Sequence, residues 1–283
     1  MRIKPLLNAV WLLAALPATA LGTEPMTREF KLPLQAQRFA QDEAGVVEAY
    51  AHAFAALLGQ LQPSEVRPRA RFEATRTVSF LDTPNQCALR SAGFILRART
   101  AGADLHLTLK TRSANEAWVR STRVDTPAAT SKLEEDVEPP ARARLSRSAT
   151  LKLEAAQTPH TLAQAAALFP ALATAAPPDA VLSVVGGLGV AETVYKLPSW
   201  TLADTRFEAG LTVWRSKQDG HVLFVESDFS YTVPADAARA RTAANHAHAL
   251  FQAMQADSSW AANHAQTKTD FVYTALGSRH CDP

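Results

Sequence analysis

Basic side chains recur two residues apart in short apolar segments of this sequence. Arg97 and Arg99 alternate with apolar residues in FILRART, and His106, Thr108 and Lys110 do so in DLHLTLK. Because alternate side chains of a β-strand point to one face, each segment predicts a strand with a basic or polar face. Arg and Lys side chains gathered in this way can hold an anion.

Acidic residues follow the same alternation in three further segments. The residues that share a face are Glu29 and Lys31 in TREFKLPL, Lys132, Glu134 and Asp136 in SKLEEDV, and Glu226, Asp228 and Ser230 in FVESDFSY. Two arrangements account for such faces. In the first, the charged faces are the solvated side of an open antiparallel sheet. In the second, they line the channel of a closed barrel whose apolar outer face is covered by helices. The alternation alone leaves both open.

The order of helices and strands is typical of an α+β domain. Apolar spacing predicts helices over residues 43–61, 161–169 and 234–256. Antiparallel strands fill the stretches between them, with hairpin turns at residues 101–103 and 217–220. Residues 175–189 contain Pro and Gly and predict a loop or a weak strand.

The N-terminal residues have the pattern of a secretory signal peptide. Arg2 and Lys4 precede an apolar run over residues 6–16, and the small residues 18–20 follow. The apolar run is too short to span a bilayer. We therefore expect cleavage after about residue 20, export to the periplasm or the medium, and a single domain over residues 21–283 with no membrane span.

Composition narrows the choice of partner. Removing Arg2 and Lys4 lowers the number of Lys and Arg residues from 29 to 27, which equals the 27 Asp and Glu residues. A formally neutral chain argues against nucleic acid as a partner and requires any anion to be held by a local cluster. The sequence also lacks a Gly-rich phosphate loop, which disfavours a Rossmann or P-loop nucleotide fold. It has no Gly-x-Ser-x-Gly elbow to indicate a serine hydrolase.

The cysteines and histidines give weaker signals. Cys87 and Cys281 are the only cysteines, and because an exported compartment permits disulfides, we expect them to form a bridge that ties down the C-terminus. His52, His246 and His248 lie on predicted helices without metal-ligand spacing, so they are predicted to be surface residues.

The segment FLDTPNQCALRSAGFILRART, followed by DLHLTLKTR, resembles the CYTH superfamily of triphosphate tunnel metalloenzymes. The shared pattern is an aromatic-x-Asp-Thr-Pro turn, Leu-Arg, a Gly, Leu-Arg-x-Arg and a Leu-Thr-Leu-Lys strand. The superfamily includes class IV adenylyl cyclases, thiamine triphosphatases and inorganic triphosphatases. The resemblance extends over about residues 28–276, fits poorly over 141–191, and implies an antiparallel closed barrel of about eight strands that forms a tunnel.

The resemblance also implies roles for charged residues. The residues expected to bind phosphate are Lys31, Arg97, Arg99, Lys110, Lys196 and Lys268. The residues expected to bind a metal are Glu29, Glu134, Glu226 and Asp228. Arg gives forked hydrogen bonds to phosphate and Lys a compact charge, whereas carboxylates and phosphate oxygens suit Mg²⁺ or Mn²⁺ as the expected cofactor.

The acidic half departs from the family pattern. Thr27 replaces the first Glu of Glu-x-Glu-x-Lys, Ser230 stands where a further acid is often found, and Trp214 and Arg215 occupy the place of another. Two functions therefore stay open. One is a metal-dependent hydrolase of triphosphate or a related phosphoanhydride. The other is a non-catalytic exported binding protein for small phosphorylated ligands or polyphosphate. A cyclase is disfavoured because nothing marks an adenine pocket.

Overall fold

A ten-stranded sheet forms the centre of the chain. The computed structural model describes residues 24–61, 66–187 and 189–276, with the backbone alone for 275 and 276. The strands are β1 (Met26–Pro33), β2 (Arg71–Asp82), β3 (Phe94–Ala101), β4 (Asp104–Ser113), β5 (Thr130–Glu138), β6 (Arg142–Glu154), β7 (Ser183–Val184), β8 (Val190–Leu202), β9 (Thr205–Ser216) and β10 (Val222–Thr232).

Helices lie between and after the strands. The α-helices are α1 (Glu43–Leu61), α2 (Ala88–Ser91), α3 (Glu116–Ser121), α4 (Leu162–Leu168), α5 (Ala237–Ala256) and α6 (Lys268–Phe271), and a π-helical turn follows at Val272–Leu276. Short 3₁₀ turns lie at Ala36–Phe39, Ala155–Gln157, Pro170–Leu172 and Val185–Gly187. No helix in the described part of the chain is long and apolar enough to span a membrane.

Nine of the strands close into a ring. Their order is β3-β4-β6-β5-β1-β10-β9-β8-β2, and β2 pairs again with β3. Neighbours run antiparallel apart from β1 and β5, which run parallel. The two-residue β7 pairs with the end of β2. The predicted α+β fold with a closed sheet is confirmed, with nine strands in the ring instead of about eight and one parallel pair.

The outer face of the ring is apolar, and helices bury it. On β1, Phe30 stacks on Phe229 of β10 with 4.8 Å between ring centroids, and it also meets Phe251 of α5 edge-on. All three side chains are buried, and each contributes about 1.5–3 kcal/mol relative to an exposed side chain. Since side chains alternate along β1, this packing turns Glu29 and Lys31 into the ring.

A second apolar core covers the opposite wall. Leu96 of β3, Leu107 of β4 and Leu151 of β6 face outward and pack with Leu162 and Phe169 at the two ends of α4. Their strand neighbours at the next positions are polar or charged, so the same alternation turns those neighbours into the ring.

The predicted local elements are largely confirmed. Helix α1 has the predicted bounds, while α4 and α5 begin one and three residues later than expected. Thr161 and Asp236 explain both starts, because each side chain accepts a hydrogen bond from the backbone three residues on and so caps its helix. Gly102 and Gly220 have positive φ angles at the two predicted hairpin turns.

A charged tunnel as the candidate functional site

The interior of the ring gathers the charged faces of its strands. Strand register places Glu29 beside Asp136 on one side and Ser230 on the other, and Lys31 beside Asp228. The charged side chains that interact inside the ring are Glu29, Lys31, Arg76, Arg97, Arg99, Lys110, Glu134, Asp136, Glu192, Glu226 and Asp228. The alternative of an open sheet with a solvated charged face is therefore wrong.

Three carboxylates form a cluster that could hold a metal ion. One oxygen each of Glu29, Glu134 and Asp136 lies within 4.8 Å of the other two. Lys31 Nζ lies 2.6 Å from Asp136 Oδ1 and 2.8 Å from Glu29 Oε2, while Lys110 Nζ lies 3.0 Å from Asp136 Oδ2 and 3.5 Å from Glu134 Oε2. Three carboxylates thus share two ammonium groups, and the guanidinium of Arg112, which also pairs with Glu138, lies 4.0 Å from Asp136 Oδ2.

Asp136 is the fully buried member of this cluster. Burial alone would raise the pKa of Asp136, but the charges of Lys110, Lys31 and Arg112 outweigh it and hold that pKa well below its ordinary value. Among the described residues, no donor is in hydrogen-bonding geometry with its Oδ2 atom, although Lys110 Nζ is 3.0 Å away. A carboxylate oxygen without a hydrogen-bond donor, with two further carboxylates beside it, is a suitable ligand for a hard divalent cation such as Mg²⁺ or Mn²⁺.

Arginines dominate the neighbouring wall. Arg76, Arg97 and Arg99 share the single carboxylate of Glu192, to which Arg76 Nε donates and from which Arg99 Nε is 3.8 Å away. Burial lowers the pKa of Arg99 to about 9, with the positive charge of Arg97 as the second cause, and burial lowers the pKa of Arg97 as well. Within the described residues, neither Arg97 Nε nor Arg99 Nε has a hydrogen-bond acceptor. Partly buried guanidinium groups in excess over carboxylates are a suitable site for an anion.

Glu226 and Asp228, the other two predicted metal ligands, lie on β10 outside the three-carboxylate cluster. Glu226 Oε1 is 2.8 Å from Lys268 Nζ, which reaches the tunnel from α6. Burial raises the pKa of Asp228 to about 7, and the charges of Glu29 and Glu226 add to that increase. The predicted roles of these residues in binding metal, and of Lys268 in binding phosphate, stay predictions.

Lys196 lies at a mouth of the tunnel, away from the other predicted phosphate-binding residues. Its side chain is half exposed and its Nζ lies 2.8 Å from Glu73 Oε1. The mouth is a cavity of about 380 Å³ whose charged lining residues are Arg71, Glu73, Lys196, Arg206, Glu208 and Asp228. The predicted role of Lys196 in binding phosphate stays a prediction.

Sequence reasoning missed several charged residues of the interior, including Arg112 and Glu138, which pair at 2.9 Å. Asp136 was grouped with Glu134 but not counted as a ligand, and Arg76 and Glu192 were not named at all. Glu192 lies four residues before Lys196 on β8, so extending the alternation backwards would have found it. Its carboxylate also accepts a hydrogen bond of 2.9 Å from Trp214 Nε1. Strand β8 therefore supplies an acid next to Trp214, which occupies the position on β9 where an acid was expected.

Two predictions fall on residues outside the described ranges. Cys87 is buried at the start of α2, but Cys281 lies outside the described residues, so the disulfide stays a prediction. The signal peptide over residues 1–20 lies outside them too.

Comparison with known proteins gives a similarity of fold. No family model matches the chain, and no curated protein matches it. A crystal structure described as that of "a putative adenylate cyclase" from Bacillus halodurans is 15% identical, covers 85% of this chain and 93% of its own, and has a TM-score of 0.37. Because that score is low, the description of a closed sheet with a charged interior rests on the strand pairings and ion pairs of this chain alone.

Proposed function

We propose that this protein is a divalent-metal-dependent hydrolase of triphosphate or a related phosphoanhydride. One observation carries the proposal. The unsatisfied Nε atoms of Arg97 and Arg99 face the same interior as the carboxylates of Glu29 and Glu134, whose charges act on the guanidinium of Arg97. A triphosphate bound with a divalent cation complements both halves of such a site.

Basic residues would bind the phosphate groups, and acidic residues would bind the metal. Arg97 and Arg99 would hold phosphate oxygens through forked hydrogen bonds, and a bound metal would lie among Glu29, Glu134 and Asp136. The metal supplies Lewis-acid polarisation of a phosphoryl oxygen and a site for the attacking water.

Lys31 and Lys110 would have two roles. Lys31 and Lys110 neutralise the carboxylates in the structure. With a divalent cation bound among the carboxylates, Lys31 and Lys110 would be free to turn toward phosphate oxygens. Lys196 at the rim and Lys268 at the far side would extend the cationic lining along a linear substrate.

A second function is favoured by a different observation. Because Lys31 and Lys110 already occupy the carboxylates and Trp214 stands where an acid is expected, the tunnel could bind its anion without metal and without turnover. The protein would then capture phosphorylated small molecules or polyphosphate. The predicted export would place either activity outside the cytoplasm.

The test uses the purified mature protein with tripolyphosphate and Mg²⁺ or Mn²⁺, read as phosphate release. The hydrolase predicts release that stops on metal chelation and falls by about a hundredfold in Glu134→Gln, which removes an inward carboxylate. The matched control is Glu135→Gln, because that neighbouring acid faces outward and pairs with Arg28. It should retain activity.

Calorimetry with a non-hydrolysable imidotriphosphate separates the two functions. Metal-independent binding without turnover, lost in Arg97→Ala, would support the binding protein and contradict the hydrolase. Neither binding nor release would contradict both.

A further inference from the structure

A second cavity lies beside the end of β1. The start of β10, the 3₁₀ turn at Ala36–Phe39, the end of α5 and the loop that leads to α6 surround it. Its volume is about 560 Å³, within the range of about 300–1,000 Å³ that is usual for small-molecule sites. It shares no described lining residue with the cavity at Lys196.

Amide side chains dominate the polar lining of this cavity. None of its described lining residues is Asp, Glu, Lys or Arg, although these types make up 20% of the chain. Four of the twelve glutamines of the sequence lie here. Since an ion taken from water without a counter-charge is costly, such a lining favours an uncharged ligand. We call the cavity the amide groove, and its polar lining residues are Gln35, Gln37, Gln255, Ser258, Asn263, His264 and Gln266.

The amide groups of Gln255 and Gln266 are held in place through their nitrogen atoms. Gln255 Nε2 donates a hydrogen bond of 3.2 Å to the backbone oxygen of Pro140, and Gln266 Nε2 donates one of 2.8 Å to Thr274 Oγ1. Within the described residues, no donor bonds to the Oε1 atom of either amide. Two fixed carbonyl oxygens are therefore available to accept hydrogen bonds from hydroxyl groups.

The loop before α6 adds two side chains that can both donate and accept. Asn263 and His264 are exposed, and neither makes a side-chain hydrogen bond to the described part of the chain. A hydroxyl group donates one hydrogen bond and accepts others, and an amide or a neutral imidazole can match both kinds. The groove thus offers donors and acceptors side by side.

The main chain beside the groove is already paired. Leu34 N donates a hydrogen bond of 2.9 Å to Val225 O, and Ala262 N donates one of 3.0 Å to Pro33 O. An extended peptide gains its affinity mainly from main-chain hydrogen bonds, and these two donors are not available to it. A ligand recognised by side-chain amides therefore fits the groove better than a peptide.

Apolar surface completes the groove. Phe271 of α6 packs on Phe224 with 5.4 Å between ring centroids, and its side chain is only partly buried. Leu223 and Ala262 are also partly buried and line the groove. Because a sugar ring has an apolar face of C–H groups and a rim of hydroxyl groups, it complements an aromatic ring that lies next to amides.

We infer that the amide groove binds an uncharged saccharide. Gln255, Gln266, Asn263 and His264 bond to its hydroxyl groups, and Phe271 packs against a ring face. The inference does not rest on the proposed function, because the described lining of the groove contains none of the charged residues assigned to phosphate or metal. A free sugar and the end of a glycan chain offer the same chemistry, so the test includes both.

Titration of the purified mature protein with neutral sugars, followed by NMR, tests the inference. The probes are maltose, cellobiose and N,N′-diacetylchitobiose, each also as its hexasaccharide. At least one should bind with a Kd of about 1 mM or lower. Tighter binding of a hexasaccharide would support a glycan chain as the ligand, and equal binding would support a free sugar. The inference is overturned if no probe binds at about 10 mM, or if the charged sugars glucuronate and glucosamine bind equally well.

Variants of the groove locate the bound sugar. Ala262→Leu should abolish binding, because it adds bulk to the lining. His264→Ala on the exposed loop should weaken binding by about fivefold or more, because it removes a hydrogen-bonding group, and it decides the question if Ala262→Leu does not fold. The matched control is Gln252→Ala, which is exposed on α5 outside the groove and should bind like the wild type. Sugar binding that survives both groove variants would overturn the inference.

One further pair of measurements separates the groove from the tunnel. Arg97→Ala should keep full sugar binding, and Ala262→Leu should release phosphate from tripolyphosphate like the wild type. Loss of sugar binding in Arg97→Ala would place the sugar in the tunnel and overturn the inference. Sugar binding without any release of phosphate would support the inference and contradict the hydrolase alone.

Discussion

Lys268 and Glu226 join the C-terminal segment to the tunnel wall through an ion pair of 2.8 Å. The carboxylate of Glu226 is almost completely buried, whereas Lys268 keeps a fifth of its side chain in solvent. Because a buried carboxylate without its partner is costly, this pair couples the packing of helix α6 to the stability of the fold.

Lys268→Met should lower the free energy of unfolding by about 3 kcal/mol, because it leaves the buried carboxylate of Glu226 without its ion-pair partner. The double variant Lys268→Met/Glu226→Gln should recover part of that loss, because the charge is then absent as well. Urea unfolding of the four proteins in this cycle gives the coupling. A single variant as stable as the wild type would contradict the prediction.

Asp136→Asn should weaken Mn²⁺ binding by about tenfold or more, because Asp136 supplies the fully buried carboxylate of the three-carboxylate cluster. Asp125→Asn is the control, since Asp125 is exposed and pairs with Arg147 on the outer face. Calorimetric titration with Mn²⁺ alone measures the effect without requiring turnover. Equal affinity in the two variants would exclude this cluster as the metal site.

Arg99→Lys should weaken binding of imidotriphosphate by about tenfold, although it keeps the positive charge, because lysine cannot make a forked hydrogen bond. Arg120→Lys on the exposed helix α3 is the matched control and should bind like the wild type. If Arg99→Lys also bound like the wild type, charge alone would explain the site and the geometric argument would fail.

His246 should make stability depend on pH. Its Nε2 atom accepts a hydrogen bond of 2.9 Å from Trp200 Nε1, and burial lowers its pKa below the ordinary 6.5. The neutral ring is favoured in the folded state, so this stabilisation is complete above pH 6.5 and is lost as the pH falls through the lower folded pKa. The expectation of a surface histidine was therefore wrong.

His246→Gln provides the measurement, because glutamine can accept the same hydrogen bond but does not titrate. The stability of the wild type relative to His246→Gln, from urea unfolding, should decrease as the pH is lowered from about 7.5 to about 5. Two parallel curves over that range would show that His246 does not titrate differently on folding.

Period-two alternation explains why much of the tunnel could be predicted. Glu29, Lys31, Arg97 and Lys110 each lie on a strand whose other face is buried by helices, so the apolar pattern alone specifies which side chains turn inward. Alternation alone did not decide between an open sheet and a closed barrel, and it is the pairing of β2 with β3 that closes the ring in the structure.

Alternation along single strands could not predict the non-local features of the fold. The parallel pairing of β1 with β5 joins segments far apart in sequence, and no local pattern encodes it. A register shift between Phe72 and Ala74 interrupts the alternation on β2 before Arg76. The four-residue helix α6 is too short to show an amphipathic repeat, so its packing into the tunnel depends on tertiary contacts.

The central claim is that one interior binds a phosphate chain and a divalent cation together. A crystal structure with Mn²⁺ and imidotriphosphate tests it most directly. We predict an anomalous Mn²⁺ peak among Glu29, Glu134 and Asp136, and a triphosphate inside the ring that contacts Arg97 and Arg99. Density for the anion at the rim alone, with no Mn²⁺ peak inside the ring, would contradict the account.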